Sequence, residues 1–221
     1  MARKPEALIF DMDGLMIDTE RVYWEMNRQL AARWGKTVQE STLRKMMGRG
    51  AMDSMTLYVN ETGIPETPAA LLAIREGLVL ERFRQGVAPM PGLHEILNAF
   101  LGKLQLAIAT SAPRKFVDVI LPQLGIETLF DVVQTGETVA RGKPDPEIYL
   151  AAMSKLGVRP ERSIVLEDSH SGALSGKNAG AYVIAVTDEL AAGEDFSFAD
   201  FRARSLDEAR AHITEVLGAP C

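Results

Sequence analysis

Cysteine is almost missing from this chain of 221 residues: the single one, Cys221, is the last residue. A lone thiol excludes an internal disulfide and a thiolate metal centre. Standing last rather than fourth from the end, it does not form a prenylation box either. Basic charge is also in short supply, with 24 Lys and Arg against 30 Asp and Glu and a net charge of -6. Phosphate backbones select basic surfaces, so nucleic acid is not expected as a partner. A small phosphorylated ligand stays open, because a metal ion and one or two local cations can invert the field inside a cleft. No apolar run reaches the length of a membrane-spanning helix. Met1-Ala2-Arg3-Lys4-Pro5-Glu6 lacks the apolar core of a signal peptide. The expectation is a soluble, cytoplasmic protein without a membrane partner, and a monomer.

What is present is ordinary globular material, 47% hydrophobic and 24% charged, enough for one large domain or one that carries a smaller one. No internal repeat or low-complexity segment interrupts it, yet it has two textures. From about Asp18 to about Arg84, helical spacing dominates: Tyr23, Met26, Leu30 and Trp34 form one series, and Leu71, Ile74 and Leu78 another. Gly35, Gly48 to Gly50 and Gly63 to Pro65 supply the breaks. After Pro89-Met90-Pro91-Gly92, strand-like runs at 104–109, 130–133, 163–166 and 182–186 alternate with helical stretches near 93–101, 115–124, 146–156 and 172–179. Such alternation marks right-handed βαβ units around a parallel sheet. The opening run, 7–10, belongs to it by character. The fold class expected is therefore α/β: a doubly wound parallel sheet, Rossmann-like, made of 1–17 and 88–221, with an all-helical insert over 18–87. The insert starts just after the first strand, which is expected to set it over that strand's end.

Ligands of open parallel sheets bind beyond the carboxyl ends of the strands. The first strand exits into Asp11-Met12-Asp13-Gly14, two carboxylates at i, i+2 before a glycine turn. Like charges so close call for a shared proton or a cation, and Mg²⁺ with its oxygen ligands answers that need. The second exits into Thr110-Ser111-Ala112-Pro113, the third into a turn leading to Gly142-Lys143-Pro144-Asp145-Pro146, and the fourth into Glu167-Asp168-Ser169. Each has a plainer reading: a helix cap for Thr110-Ser111 and for Glu167-Asp168-Ser169, a solvated loop lysine for Lys143. Taken together, four chemically loaded exits point to phosphoryl transfer, which needs charge neutralisation, in-line positioning and a proton donor. Asp11 is the candidate nucleophile, and Asp13 the acid and then the base. Mg²⁺ would lie on Asp11, the Asp13 carbonyl and Asp168, with Glu167 beside it or acting through water. Thr110 or Ser111, with free amides at the next helix start, would hold phosphoryl oxygens, and Lys143 would supply fixed positive charge.

Asp11-Met12-Asp13-Gly14, Thr110-Ser111, Lys143-Pro144-Asp145-Pro146 and Leu166-Glu167-Asp168-Ser169 resemble, in order, the four signature motifs of the haloacid dehalogenase superfamily. The resemblance runs over essentially the whole chain, and the helical insert resembles the cap of its phosphatase and β-phosphoglucomutase-like branch. It implies a Mg²⁺-dependent phosphatase that hydrolyses a small phosphorylated metabolite, a sugar phosphate or nucleoside monophosphate, through an aspartyl-phosphate. Asp13 separates this chain from the dehalogenases, which lack the second aspartate. A β-phosphoglucomutase-like phosphomutase acting on a hexose phosphate is the alternative. Against it, Tyr23 stands where those mutases carry histidine, and Arg49 is shifted by two positions from their phosphate-gripping arginine.

Substrate preference is expected in the cap, from Thr19, Glu20, Tyr23 and Arg49, with Trp24 and Lys45 as further candidates. Asp18 and Ala88 lie near the two chain crossings and are hinge candidates. His94 and His212 read as structural, and His170 follows the fourth motif without a role of its own.

Overall fold

The computed structural model describes residues 4–47, 49–187 and 195–218. Gly48, one of the expected breaks, and Cys221 lie outside the described residues. The chain divides into two compact units, 1–17 with 88–221, and 18–87. In chain order, β1 (Ala7–Phe10) is followed by the helical unit, α1 (Thr19–Ala32), α2 (Glu40–Met46), α3 (Ala51–Thr62) and α4 (Pro68–Arg84). The larger unit resumes with α5 (Leu93–Phe100), β2 (Gln105–Thr110), α6 (Arg114–Leu124), β3 (Val132–Thr135) and α7 (Glu147–Leu156). It ends with β4 (Ser163–Glu167), α8 (His170–Asn178), β5 (Tyr182–Val186), β6 (Phe201–Ala203) and α9 (Leu206–Gly218).

Among the described residues, six parallel strands form one sheet in the order β3-β2-β1-β4-β5-β6. Parallel strands are covered on both faces, which is why β1 is apolar throughout and wholly buried. The strand order reverses between β1 and β4, and that topological switch point opens a crevice beyond the carboxyl ends. Register decides what faces the crevice. Phe10 is level with Leu166 and Ile108, and the Asp11 amide continues the ladder to the Leu166 carbonyl at 3.0 Å. Asp11 and Glu167 are thus neighbours on adjacent strands. Both lie two residues beyond Ile9 and Val165, which belong to the apolar cluster with Ala107, Ile148, Tyr149 and Ala173. Alternation of side chains therefore turns both carboxylates towards that same face.

The helical unit has its own core of Leu30, Ala31, Leu43, Met46, Met55, Tyr58, Ile64 and Leu71. Each leucine, isoleucine or methionine among them, when fully buried, stabilises the fold by about 1.5–3 kcal/mol. Its helices start where the side chains dictate: Asp18 accepts from the Arg21 amide ahead of α1, and Thr67 accepts from Ala70 ahead of α4, with Pro68 in the first turn. In the larger unit the two chain crossings run side by side, Ile17 bridging Pro89 and the Met90 amide donating to Met16 at 2.8 Å.

Three elements depart most from the sequence expectation. β3 occupies Val132–Thr135, two residues later than 130–133. Phe130 instead packs edge-on against Phe10, and Asp131 accepts from the Leu106 amide. The strand ends in Gln134 and Thr135, which look like loop residues but are buried, with Gln134 bonded to Thr138 and Lys155. β6 and α9 had no counterpart in the reading of the sequence. A legible signal existed for α9: Ser205, three residues before Glu208, accepts from the Glu208 amide at 3.2 Å, and Leu206, Ala209 and Ile213 form its buried face.

Candidate active site

The centre of the site is an ammonium held in a cage. Lys143 Nζ donates to Asp11 Oδ1 at 2.6 Å, to Glu167 Oε1 at 2.5 Å and to the Ala109 carbonyl at 3.2 Å. These use all three of its donors. Its side chain is only 8% exposed, that of Asp11 7% and that of Glu167 not at all. The Tyr149 ring lies 5.0 Å from the same nitrogen. Burial pushes the Asp11 carboxyl up to about 8, with Lys143 pulling it back down and Glu167 and Asp13 pushing it further up. Burial by itself would lower Lys143, but Asp11 and Glu167 hold it well above its usual value.

Glu167 is the most heavily bonded group here. Besides Lys143, Oε1 accepts from the Tyr149 hydroxyl at 2.8 Å. Oε2 accepts from the Asp168 amide at 3.1 Å, the Ser169 amide at 3.1 Å and the Ser169 hydroxyl at 3.0 Å. A carboxylate offers about four lone-pair sites, so Glu167 is saturated. Two glycines make room around the acids. At Gly172 a Cβ would fall 1.7 Å from Glu167 Oε1, and at Gly14, whose φ is +79°, it would fall 1.9 Å from Asp168 Oδ2.

On the other side of β1, Thr110 is fully buried, and its hydroxyl donates to Asp13 Oδ2 at 3.3 Å while accepting from the Ala112 amide at 3.0 Å. The Arg114 amide goes to Glu137 Oε2 at 2.9 Å. Two amides at this helix start are therefore already engaged, which narrows the set expected to be free. Ser111 is exposed. The candidates of the helical unit are spread over it. Thr19 is buried at the start of α1, Glu20 and Tyr23 are half-buried on the same helix, and the Tyr23 ring faces the Arg75 guanidinium at 5.5 Å. Arg49 is exposed between α2 and α3 and donates to the Lys45 carbonyl, while Lys45 pairs with Glu61. The guanidinium groups of Arg28 and Arg44 lie 5.7 and 5.5 Å from the Trp24 ring centre. His94 lies on α5, and His170 packs against Phe196 and Phe198. His212 stacks on Phe201 and bonds Tyr182, and its burial lowers its pKa.

A hard divalent cation fits this donor set. One carboxylate oxygen from each of Asp11, Glu167 and Asp168 lies within 4.8 Å of the others. Asp13 adds further negative charge beside Asp11. Lys143 brings a single positive charge to this group, and a divalent cation would neutralise the negative charge that remains.

An α/β enzyme whose acidic, lysine-bridged centre sits at the switch point of a parallel sheet is the class that fold and site define. The chain belongs to the haloacid dehalogenase-like hydrolase family, whose profile matches residues 8–186. The phosphorylated carbohydrates phosphatase of Thermotoga maritima is 37% identical over 179 residues, covering 79% of this chain and 82% of the relative. The validoxylamine A 7'-phosphate phosphatase of Streptomyces hygroscopicus subsp. limoneus is 32% identical, covering 91% of this chain and 94% of the relative. CbbY from Rhodobacter sphaeroides, crystallised in complex with phosphate, superposes with a TM-score of 0.84 at 26% identity, covering 92% of this chain and 96% of that one. An Asp-to-Asn mutant of CbbY was crystallised with xylulose-(1,5)bisphosphate. Among the described residues no helix is long and apolar enough to cross a membrane.

Proposed function

We propose that this chain is a Mg²⁺-dependent phosphatase that hydrolyses a small phosphorylated carbohydrate through an aspartyl-phosphate. The observation that carries the reading is the Lys143 ammonium bridging Asp11, at the end of β1, to Glu167, at the end of β4. Two relatives named as phosphatases of phosphorylated carbohydrate and of validoxylamine A 7'-phosphate support the substrate class.

Asp11 attacks the phosphorus, and the bond from phosphorus to the substrate oxygen breaks. Asp13 delivers its proton to the departing oxygen, which leaves as the alcohol. Asp13 then takes a proton from water as that water attacks the phosphorus, inorganic phosphate is released, and the Asp11 carboxylate is regenerated. Thr110, bonded to Asp13 Oδ2, orients that acid, and Ser111 stands at the same strand exit to receive phosphoryl oxygens. Lys143 keeps positive charge beside Asp11 while negative charge builds on the phosphoryl group. Mg²⁺, when bound, neutralises phosphoryl charge and favours the ionised form of Asp11. Asp11, the Asp13 carbonyl and Asp168 would hold it. Glu167, saturated by donors, would stand behind them as an anchor. The 18–87 unit is the candidate cap, with Thr19, Glu20, Tyr23 and Arg49 as candidate substrate contacts.

The test is release of inorganic phosphate from a panel of sugar phosphates and nucleoside monophosphates, with Mg²⁺, with EDTA, and in Asp11→Asn. Turnover that needs the metal and vanishes in the variant is expected. No release from any substrate by folded protein would overturn the reading. Stimulation by a trace of sugar bisphosphate, with isomerised sugar phosphate as product, would indicate the phosphomutase instead.

A further inference from the structure

Tyr149 takes no part in the steps above, yet its side chain is fully buried. Its ring belongs to the apolar cluster of Ile9, Ala109, Ile148, Ala152 and Val165, where phenylalanine would fill nearly the same volume without a polar atom to satisfy. The hydroxyl donates to Glu167 Oε1, the oxygen that also accepts from Lys143, and the ring lies 5.0 Å from the Lys143 nitrogen. We infer that Tyr149 is a positioning residue, which sets the division of the Lys143 ammonium between Glu167 and Asp11 and so keeps its charge at the reacting carboxylate. The inference rests on the phosphatase reading for its kinetic consequence.

The reasoning is electrostatic. Two carboxylates compete for one ammonium, at 2.5 and 2.6 Å. The other oxygen of Glu167 is fixed by the Asp168 and Ser169 amides and the Ser169 hydroxyl, so the carboxylate cannot turn away. The phenol shares Oε1 and spreads its charge, which weakens the pull of Glu167 on Lys143. The ring meanwhile closes one side of the ammonium and contributes a cation–π attraction. Without the hydroxyl, Oε1 would draw Lys143 towards Glu167 and away from Asp11.

Tyr149→Phe retains the ring and deletes only the donor. Expected is a fall in kcat for phosphate release of about tenfold, within the range for coupled neighbours, with KM within about threefold of wild type. In a Lys143→Met background the same substitution should have no further effect. The side-chain ¹⁵N resonance of the Lys143 ammonium, assigned by its loss in Lys143→Met, should shift in Tyr149→Phe. An unchanged kcat together with an unchanged resonance would overturn the inference. So would an equal fall in kcat in both backgrounds, which would place the effect outside Lys143. If wild type releases no phosphate, the phosphatase reading fails, and the ammonium resonance alone then decides whether Tyr149 sets the position of Lys143.

Discussion

Gly172→Ala sets two physical effects of opposite sign against each other. Gly172 is the third residue of α8, and in a helix alanine is favoured over glycine by up to about 1 kcal/mol. The added methyl, however, would lie 1.7 Å from Glu167 Oε1, 2.0 Å from its Cδ and 2.3 Å from Oε2. Ordinary contact requires roughly 3.5 Å, so the carboxylate must retreat by well over an ångström. Such a shift breaks the two bonds at Oε1, from Lys143 and Tyr149. A bond to a charged group contributes about 1.5–3 kcal/mol, so losing both costs about 3–6 kcal/mol. After the helix gain of up to about 1 kcal/mol, the net loss is about 2–5 kcal/mol. A domain of this size loses about 2–4 °C in Tm per kcal/mol, so scanning calorimetry should show a fall of about 4–20 °C. Phosphate release should fall with it, because Lys143 loses the anchored partner that fixes its place beside Asp11. An unchanged or higher Tm would refute the reasoning, since it would mean that Glu167 moves aside freely and is not held by its donors.

Asp168→Asn removes one negative charge from the proposed cation site, and the Mg²⁺ concentration needed for half-maximal phosphate release is expected to rise at least about tenfold. A superimposable Mg²⁺ titration would remove Asp168 from the site. In the helical unit, the buried Tyr58 hydroxyl donates to the Asn27 carbonyl at 2.7 Å. Tyr58→Phe should destabilise that unit by about 1 kcal/mol, read from its thermal unfolding, without altering turnover. Glu147 accepts from the Ala140 and Arg141 amides, in the loop that leads to Lys143, and the first of these bonds is the main reason its pKa lies below 4.5. A depressed carboxyl stabilises the fold above its ordinary value and loses that contribution as pH falls through the depressed one. The Tm difference between wild type and Glu147→Gln should therefore be full above pH 4.5 and shrink below it. A difference independent of pH would exclude the ionised side chain as its source.

The sheet was largely legible because strands buried on both faces cannot alternate. β1, β2, β4 and β5 show as continuous apolar runs, and their exits follow at once. β3 was misplaced by two residues because its buried end, Gln134 and Thr135, is satisfied by side chains from elsewhere in the unit, including Lys155 of α7. β6, three residues with Arg202 at its centre, has too little apolar length to register. At the site, Asp11, Asp13, Thr110, Lys143, Glu167 and Asp168 were legible as the cargo of strand ends. Tyr149 was not: beside Ile148, Ala152 and Met153 it reads as the packed face of α7. Its hydroxyl acquires meaning only through Glu167, 18 residues further along and on another element. Gly172 was legible as the opening of a helix, but not as space for a carboxylate.

The same register that brings Asp11 and Glu167 together also makes them initially equivalent: level with one another, on adjacent strands and turned to the same face. What separates them is the number of donors each meets. Glu167 is followed by a turn whose two amides and one hydroxyl return to Oε2, and it faces α7, which supplies the phenol at Oε1. Its lone pairs are spent, so it is suited to fixing neighbours rather than to attacking phosphorus. Asp11 is followed by Met12 and Asp13 and then by a turn at Gly14, with its Oδ1 on Lys143. Burial is the main cause that raises its pKa to about 8. The roles proposed for the two carboxylates thus follow from the local turns after β1 and β4, and the shared ammonium links the fixed position of the second to the first.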